Sequence, residues 1–254
     1  MSSVVDAHVT IYPLPTLDSL KATVPTELDA HDVMTRWFAD FSASIESQNV
    51  DGILHLFLPS NSFWRDFLAF TWDFRLFPGP SRISQFLRDQ LPEYRPRNLR
   101  LRENTIGVQR PYPDLCWVSA MFDFTTAVGI CSGVIRLVPT HELGVWKAHI
   151  VFTNLEDLHG FPEQCGTNRN GKPNHGQWEN QRQELMEDYM SGRRNPTVLI
   201  VGAGQSGLTA AARLKTMDVS VLIVERNQRV GDNWRNRYEA LCLHDPICMY
   251  HWIA

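Results

Sequence analysis

The sequence of 254 residues predicts two units of different fold class, an α+β cone followed by an incomplete α/β strand–helix–strand unit. Two observations carry this prediction. In the first unit, amphipathic helical segments precede four consecutive strand-like segments, which is the order of an α+β fold. In the second, two short apolar runs enclose a glycine-rich turn and a helical segment. Such runs are typical of parallel strands that are buried on both faces of a sheet.

Composition and charge are those of an ordinary globular protein and exclude several classes. Hydrophobic residues make up 43% and charged residues 20%, and the net charge of −4 provides no general attraction for nucleic acid or anionic membranes. No apolar run is long enough to span a membrane, and the N-terminal sequence has neither a secretory nor a transit signal. The five cysteines are an odd number without a C-x-x-C pair, which predicts a reduced, cytoplasmic setting.

The N-terminal residues 1–28 are predicted to be extended, because their prolines prevent a long helix. Residues 29–155 form the predicted cone. Its first helix is expected to start at an N-cap supplied by Asp29 or Asp32 and to carry apolar residues three or four positions apart. Those apolar residues are Val33, Trp37, Phe38, Phe41 and Ile45. A shorter helix is expected over residues 50–57.

An aromatic-rich segment, residues 62–80, ends in a Pro-Gly-Pro sequence that is predicted to stop regular structure. Ser81 is then expected to cap a short helix. Turn residues separate the four strand-like segments that follow. These cover residues 99–108, 115–126, 129–138 and 145–152. Consecutive strands with short turns make an antiparallel meander, so helices should close over a concave sheet and leave a cavity.

Four side chains are candidates for acid–base chemistry in that cavity. They are Asp66, Asp123, His55 and His149. A carboxyl group buried among aromatic side chains can have a pKa raised toward the range of proton transfer. The alternative, which we favour, makes these residues rim groups or hydrogen-bonded polar groups of the core.

Residues 156–195 are predicted to be a linker rich in glycine, proline and asparagine, followed by a helix that braces the next unit. Trp178, Leu185 and Tyr189 share one side of that helix. Gly192 stands where a C-terminal cap belongs.

The remaining residues, 196–254, are predicted to begin a nucleotide-binding fold. Gly202, Gly204 and Gly207 form G-x-G-x-x-G between a strand and a helix. The first glycine permits a tight turn, the second lets the backbone approach a pyrophosphate, and the third lets the helix pack close to the strand. The N-terminus of the helix offers N–H groups to the phosphates. Glu225, at the end of the second strand, can accept hydrogen bonds from ribose hydroxyls, and its charge favours FAD or NAD over NADP.

The segments GAGQSGL, ER, VGDNW and RY-x-x-L-x-LHDP resemble the N-terminal FAD-binding segment of flavin-containing and Baeyer–Villiger-type monooxygenases, in particular a fungal branch with an added N-terminal domain. Residues 29–155, with Trp64-Arg65-Asp66, resemble the nuclear-transport-factor-2-like (NTF2-like) superfamily. Together the resemblances imply an NTF2-like α+β cone followed by an incomplete α/β Rossmann-type FAD-binding unit. They also imply NADPH as reductant in the full-length family, a small organic molecule as the oxygenated substrate, and a possible homodimer through the cone.

Carried over residue by residue, the resemblance implies roles around FAD. The pyrophosphate would be surrounded by Gly202, Ala203, Gly204, Gln205, Ser206 and Gly207. Glu225 would hold the adenosine ribose, with Arg226 beside the adenine. Gly231 and Trp234 would form a turn near the flavin. The path toward the isoalloxazine would be lined by Leu243, His244 and Asp245.

Three other interpretations remain. A zinc site could use Cys242, His244, Cys248 and His251, but their spacing departs from the usual paired-ligand patterns, so no metal is predicted. The cone could instead be a binding or scaffold module beside a vestigial nucleotide unit. It could also be a small isomerase or dehydratase.

No second glycine-rich strand–turn–helix for NADPH follows, so we expect a truncated monooxygenase with weak or no turnover.

Overall fold

The computed structural model describes residues 12–239 and divides the chain into two compact units, with the boundary between His159 and Gly160. The helices of the first unit are α1 (Leu17–Leu20), α2 (Ala30–Glu46), α3 (Val50–His55) and α4 (Gly79–Tyr94). Its strands are β1 (Phe63–Phe67), β2 (Phe74–Pro78), β3 (Arg97–Tyr112), β4 (Leu115–Thr125), β5 (Gly129–Pro139) and β6 (Trp146–Leu158). No helix within residues 12–239 has the length and apolar character needed to cross a bilayer.

Helix α2 forms as its amphipathic pattern predicts. The side chain of Asp29 caps its N-terminus by accepting a hydrogen bond of 3.0 Å from the N–H of Asp32, which would otherwise lack a partner. Its buried side chains are Met34, Trp37, Phe38, Phe41 and Ile45. Because these residues recur at three- and four-residue steps, they form one apolar stripe against the sheet.

The six strands form one sheet in the order β2-β1-β6-β5-β4-β3. The predicted antiparallel meander is confirmed for β3 to β6. The hairpin of β1 and β2 lies in the aromatic-rich segment, for which the sequence pattern predicts no strands. Strand β1 is parallel to β6, with Trp64 opposite Val151. The hairpin therefore extends the sheet past its last predicted strand.

Helix α4 starts earlier than predicted and continues further. Pro78 is its N-cap residue, and Pro80 lies in its first turn, where the fixed φ of proline suits a helix. The prediction that Ser81 caps this helix was wrong, because the Pro-Gly-Pro sequence initiates the helix. The helix also passes through Pro92 and ends at Tyr94.

Aromatic side chains fill the space between the helices and the sheet, where a cavity was predicted. The ring centroids of Phe41 and Trp64 lie 6.0 Å apart, and those of Trp64 and Phe86 lie 5.6 Å apart. Phe70 stacks on Phe124 at 5.6 Å. All five side chains are buried. The face of the sheet toward the helices is therefore covered by a packed core.

The described part of the second unit contains a strand–helix–strand element. Its helices and strands are α5 (Trp178–Met190), β7 (Val198–Val201), α6 (Gln205–Thr216), β8 (Val221–Val224) and α7 (Asp232–Arg235). Strands β7 and β8 are parallel, with Val198 opposite Val221. Helix α5 forms as predicted, but none of its residues is buried, so its bracing role stays a prediction.

The prediction that β7 is buried on both faces was wrong for the described residues. Leu199 is 56% exposed and Val201 is 84% exposed. The described sheet has only two strands, and α6 covers the opposite face, where Ile200 lies against Gly207. Within the described residues, one face of β7 therefore packs against α6 and the other face is exposed.

Candidate nucleotide-binding site

The turn between β7 and α6 has the geometry that the glycine pattern predicts. Gly202 has a φ of +105°, a left-handed conformation that glycine adopts without steric cost. Its N–H donates a 2.7 Å hydrogen bond to the carbonyl of Val224 at the end of β8. The turn is thereby fixed to the ends of both strands.

Gly207 is required by close packing. A Cβ at this position would lie 2.1 Å from the carbonyl oxygen of Gly202, a distance that backbone atoms cannot accommodate. By contrast, a Cβ on Gly204 would meet only the side-chain amide nitrogen of Asn233, at 3.5 Å. Gly204 therefore leaves open space beside the turn, whereas Gly207 lets α6 pack against it.

The N-terminus of α6 is a potential anion-binding site. Gly204 precedes the helix, and the N–H of Leu208 donates to its carbonyl at 3.0 Å. The N–H groups of the first helical residues, Gln205 to Gly207, therefore have no partner within the helix. No described side chain caps them. Free N–H groups and the positive end of the helix dipole together favour phosphate.

Glu225 connects the end of β8 to the glycine turn. One carboxylate oxygen accepts the N–H of Ala203 at 2.6 Å. The other accepts the backbone N–H of Asn227 at 2.9 Å and its side-chain amide at 2.7 Å. These hydrogen bonds, that from the Asn227 backbone first, hold the pKa of Glu225 below its ordinary value. A negative charge therefore lies beside the turn at neutral pH.

A cavity of about 480 Å³ opens at this point. It is lined by Val201, Gly202, Gly204, Val224, Glu225, Arg226, Asn227 and Asn233. Four of these residues belong to the predicted site, and the structure brings them together. Sequence reasoning missed Asn227 and Asn233. An asparagine two positions after a strand-ending glutamate can donate back to it, so Asn227 could have been found; no comparable signal marks Asn233.

The other predicted site residues within the described chain are not among those that line this cavity, and the rest lie outside residues 12–239. Ala203 is buried, and Gln205 and Ser206 are exposed at the start of α6. Gly231, with a φ of +89°, precedes α7. Trp234 is 38% exposed, and the Arg237 guanidinium lies 5.6 Å from its ring centroid. Outside residues 12–239 lie Cys242, Leu243, His244, Asp245, Cys248 and His251.

Asp232 fixes the turn before α7. Its carboxylate contacts Arg235 at 3.0 Å and Arg229 at 3.4 Å, and it accepts the Arg229 N–H at 3.2 Å. Desolvation raises its pKa, but the hydrogen bond from Arg235 and the charge of Arg229 outweigh desolvation and leave the pKa below its ordinary value. A buried charge, paired with two arginines, therefore holds this turn.

In the first unit, the candidate acid–base groups do not converge. Asp66 is buried and accepts hydrogen bonds from Phe70, Thr71 and Thr153, although burial raises its pKa. Asp123 pairs with Arg102 at 2.9 Å.

Within residues 12–239, the two histidine candidates also have no hydrogen-bond partner in common. His149 is buried, and its Nδ1 donates to the carbonyl of Asn61 at 2.7 Å. Burial lowers the pKa of His149, which makes its neutral form dominant at neutral pH. His55 lies exposed at the end of α3. Asp66 and His149 therefore match the interpretation as hydrogen-bonded polar groups of the core.

Comparison with known proteins finds similarity within the second unit, in the segment that contains the glycine turn. Residues 200–246 match the model of the NAD(P)-binding Rossmann-like domain. Over 49 residues the chain is 45% identical to an uncharacterized oxidoreductase, CzcO-like, of Geobacillus kaustophilus, and over 52 residues it is 46% identical to indole-3-pyruvate monooxygenase YUCCA1 of Oryza sativa. These alignments cover 19% and 20% of this chain but only 14% and 13% of the two relatives.

Solved structures align with about half of the chain. A protein with a cystatin-like fold from Nostoc punctiforme is 17% identical and has a TM-score of 0.38, covering 52% of this chain and 96% of its own. Aln2 from Streptomyces is 14% identical and has a TM-score of 0.39, covering 52% and 94%. Scores this low add nothing to the fold that the described elements establish directly.

Proposed function

We propose that the second unit binds the adenosine diphosphate end of FAD. The observation that carries this proposal is the arrangement of the glycine turn, the α6 N-terminus and Glu225 around one cavity. Phosphate oxygens would accept from the N–H groups of Gly204 to Gly207, and Gly204 leaves the space for them. The N–H of Ala203 already donates to Glu225, so Ala203 would act by positioning that carboxylate.

The ribose would bind at Glu225. Its oxygens accept three hydrogen bonds, and a carboxylate has about four acceptor positions, so room remains for a ribose hydroxyl. Its lowered pKa keeps it charged, and that charge would repel a 2′-phosphate. FAD or NAD therefore fits this site better than NADP. Arg226 and Asn233 line the same cavity and would lie beside the adenine and the phosphates.

The complete activity that we propose is that of an NADPH-dependent flavin monooxygenase acting on a small organic substrate. Similarity to the CzcO-like oxidoreductase and to YUCCA1, which extends along the nucleotide-binding segment, supports this proposal. Bound flavin supplies redox and oxygen chemistry that amino-acid side chains lack. The described residues would supply binding and orientation through the turn, with Gly231 and Trp234 placed toward the flavin.

Titration of the purified chain with FAD, followed by flavin fluorescence, tests the binding proposal. Glu225→Gln should weaken FAD binding at least tenfold, because it removes a charge-assisted acceptor and weakens the contact to Ala203. The same change should improve binding of NADP⁺ relative to NAD⁺. Glu239→Gln, an exposed change outside the cavity, is the matched control. If Glu225→Gln bound FAD and NADP⁺ as the unchanged chain does, the ribose assignment would be wrong.

We also propose that the first unit forms a homodimer through the face of its sheet opposite the helices. Apolar side chains are exposed there, with Phe74 at 67%, Leu76 at 50% and Ile130 at 48%. On the same face the Arg136 guanidinium covers Trp117, and its Nε is buried without a partner among the described residues. Sedimentation should give twice the monomer mass, and Leu76→Glu should lower it. A monomer at all concentrations would contradict this proposal.

A further inference from the structure

Asn227 contacts Glu225 through two N–H groups at once. The chain bends after β8, and Asn227 lies two positions beyond the glutamate, where it lines the same cavity. Its backbone N–H donates to Glu225 Oε1 at 2.9 Å, and its side-chain amide donates to the same oxygen at 2.7 Å. An ionised carboxylate can only accept hydrogen bonds, so the amide nitrogen must face Oε1. A side chain without a donor could not make the second contact.

The two carboxylate oxygens of Glu225 differ in what they contact. Oε1 accepts both Asn227 donors, whereas Oε2 accepts the N–H of Ala203 at 2.6 Å. Each carboxylate oxygen has about two acceptor positions. Among the hydrogen bonds of residues 12–239, Asn227 therefore occupies both positions on Oε1, and one position stays open on Oε2.

No ion pair within residues 12–239 competes for these oxygens, although Arg226 follows Glu225 directly and lines the same cavity. N–H groups therefore hold the carboxylate in place, and they also keep the pKa of Glu225 below its ordinary value, with the Asn227 backbone contributing most. Glu225 is half-buried and lines the cavity, so its side chain is accessible to a ligand there.

From this arrangement we infer that Asn227 is a positioning residue that makes the ribose site at Glu225 selective for one hydroxyl. The inference rests on the proposed function, in which Glu225 accepts from the adenosine ribose. Because Asn227 occupies Oε1, the ribose donates through one hydroxyl, to Oε2, and the neighbouring hydroxyl contributes little. Without the side-chain amide, Oε1 regains an acceptor position and the carboxylate can turn, so either hydroxyl can bind.

Isothermal titration calorimetry of the full chain with ADP, 2′-deoxy-ADP and 3′-deoxy-ADP tests this inference. The two deoxy analogues differ only in which ribose hydroxyl is missing. In the unchanged chain, one analogue should bind about as ADP does and the other about tenfold more weakly, because it loses a hydrogen bond to a charged group. The ratio of the two affinities measures the selectivity and does not depend on the folded fraction of the sample.

Two substitutions of Asn227 separate its donor from its shape. Asn227→Ala removes the side-chain donor and should bring the ratio to within about twofold of equality. Asn227→Asp keeps the shape but has no N–H group, so it should have the same effect on the ratio, while its added charge weakens both analogues alike. Gln228→Ala removes a neighbouring exposed amide that does not line the cavity, and it should keep the ratio of the unchanged chain.

The possible failures of the inference and of the proposed function can be told apart. If the unchanged chain bound ADP but bound both analogues equally well, the inference would be overturned and the proposed function would stand. A ratio that stays the same in Asn227→Ala or in Asn227→Asp would also refute the positioning role. If neither ADP nor FAD bound to the unchanged chain, the proposed function would fail, and the inference with it.

Discussion

Replacing Asp66 with alanine separates a structural role for this carboxylate from a catalytic one. Its side chain accepts from the backbone N–H groups of Phe70 and Thr71, at 3.1 and 2.9 Å, and from the hydroxyls of Thr71 and Thr153, at 2.8 and 2.7 Å. These bonds hold the turn after β1 against β6. If Asp66 is a structural acceptor, its loss should lower stability.

The magnitude follows from the two backbone donors, since the hydroxyls of Thr71 and Thr153 can rotate to other acceptors. A buried donor without an acceptor costs about 1–3 kcal/mol, so the N–H groups of Phe70 and Thr71 cost about 2–6 kcal/mol together. Burial disfavours the charged form of the Asp66 carboxylate, so removing this group offsets part of that cost. The free energy of unfolding should therefore fall by about 2–4 kcal/mol, which is the lower part of the range of about 2–6 kcal/mol.

Urea unfolding followed by tryptophan fluorescence measures this change, because Trp64 is buried in the same core. With a slope of about 2 kcal/mol/M, the midpoint should fall by about 1–2 M. Asp123→Ala is the matched control. It breaks a half-exposed pair with Arg102 and should cost about 0–1 kcal/mol. Equal stability losses in Asp66→Ala and Asp123→Ala would refute the structural assignment.

Three further predictions use other features. Because burial raises the Asp66 pKa, folding favours its protonated form. The stability of the unchanged chain relative to Asp66→Asn should therefore rise as the pH falls from about 7 toward about 4. A stability difference that does not change with pH would contradict this. Gly207→Ala places a Cβ 2.1 Å from the Gly202 carbonyl, so FAD affinity should fall at least tenfold in fluorescence titrations; unchanged affinity would argue against close packing at the turn. Burial raises the pKa of Cys131 to about 12, so mass-mapped alkylation should modify exposed Cys165 much faster; equal rates would refute this.

The glycine turn was predictable because its determinants are local. The backbone geometry of one strand–helix–strand element requires Gly202 and Gly207, and Glu225 lies at the end of its second strand. These residue types and their spacing are sufficient to indicate the turn. The contact between Glu225 and Ala203 was not predictable, because it depends on how far the ends of β7 and β8 are offset. Asn233 lines the cavity only through the path of the chain after β8.

In the first unit, long-range pairing decided what the pattern could not. The segment Phe63–Phe67 does not alternate clearly between apolar and polar residues, since Trp64 and Asp66 both face the core. Its strand forms because it pairs with β6, whose partner for Trp64 is Val151. The filled interior has the same origin: aromatic residues from distant segments meet there, and the sequence does not reveal their combined volume.

The sequence by itself determined helix α2 with its Asp29 cap, the order of strands β3 to β6 and the glycine turn, because each depends on residues close together in the chain. Only the tertiary structure decided that Asp66 serves as a buried acceptor, that Val201 is 84% exposed in the described sheet, and that Glu225 accepts a hydrogen bond from Ala203. These properties depend on segments that are distant in sequence. Their contacts arise from packing and strand register, which local patterns do not encode.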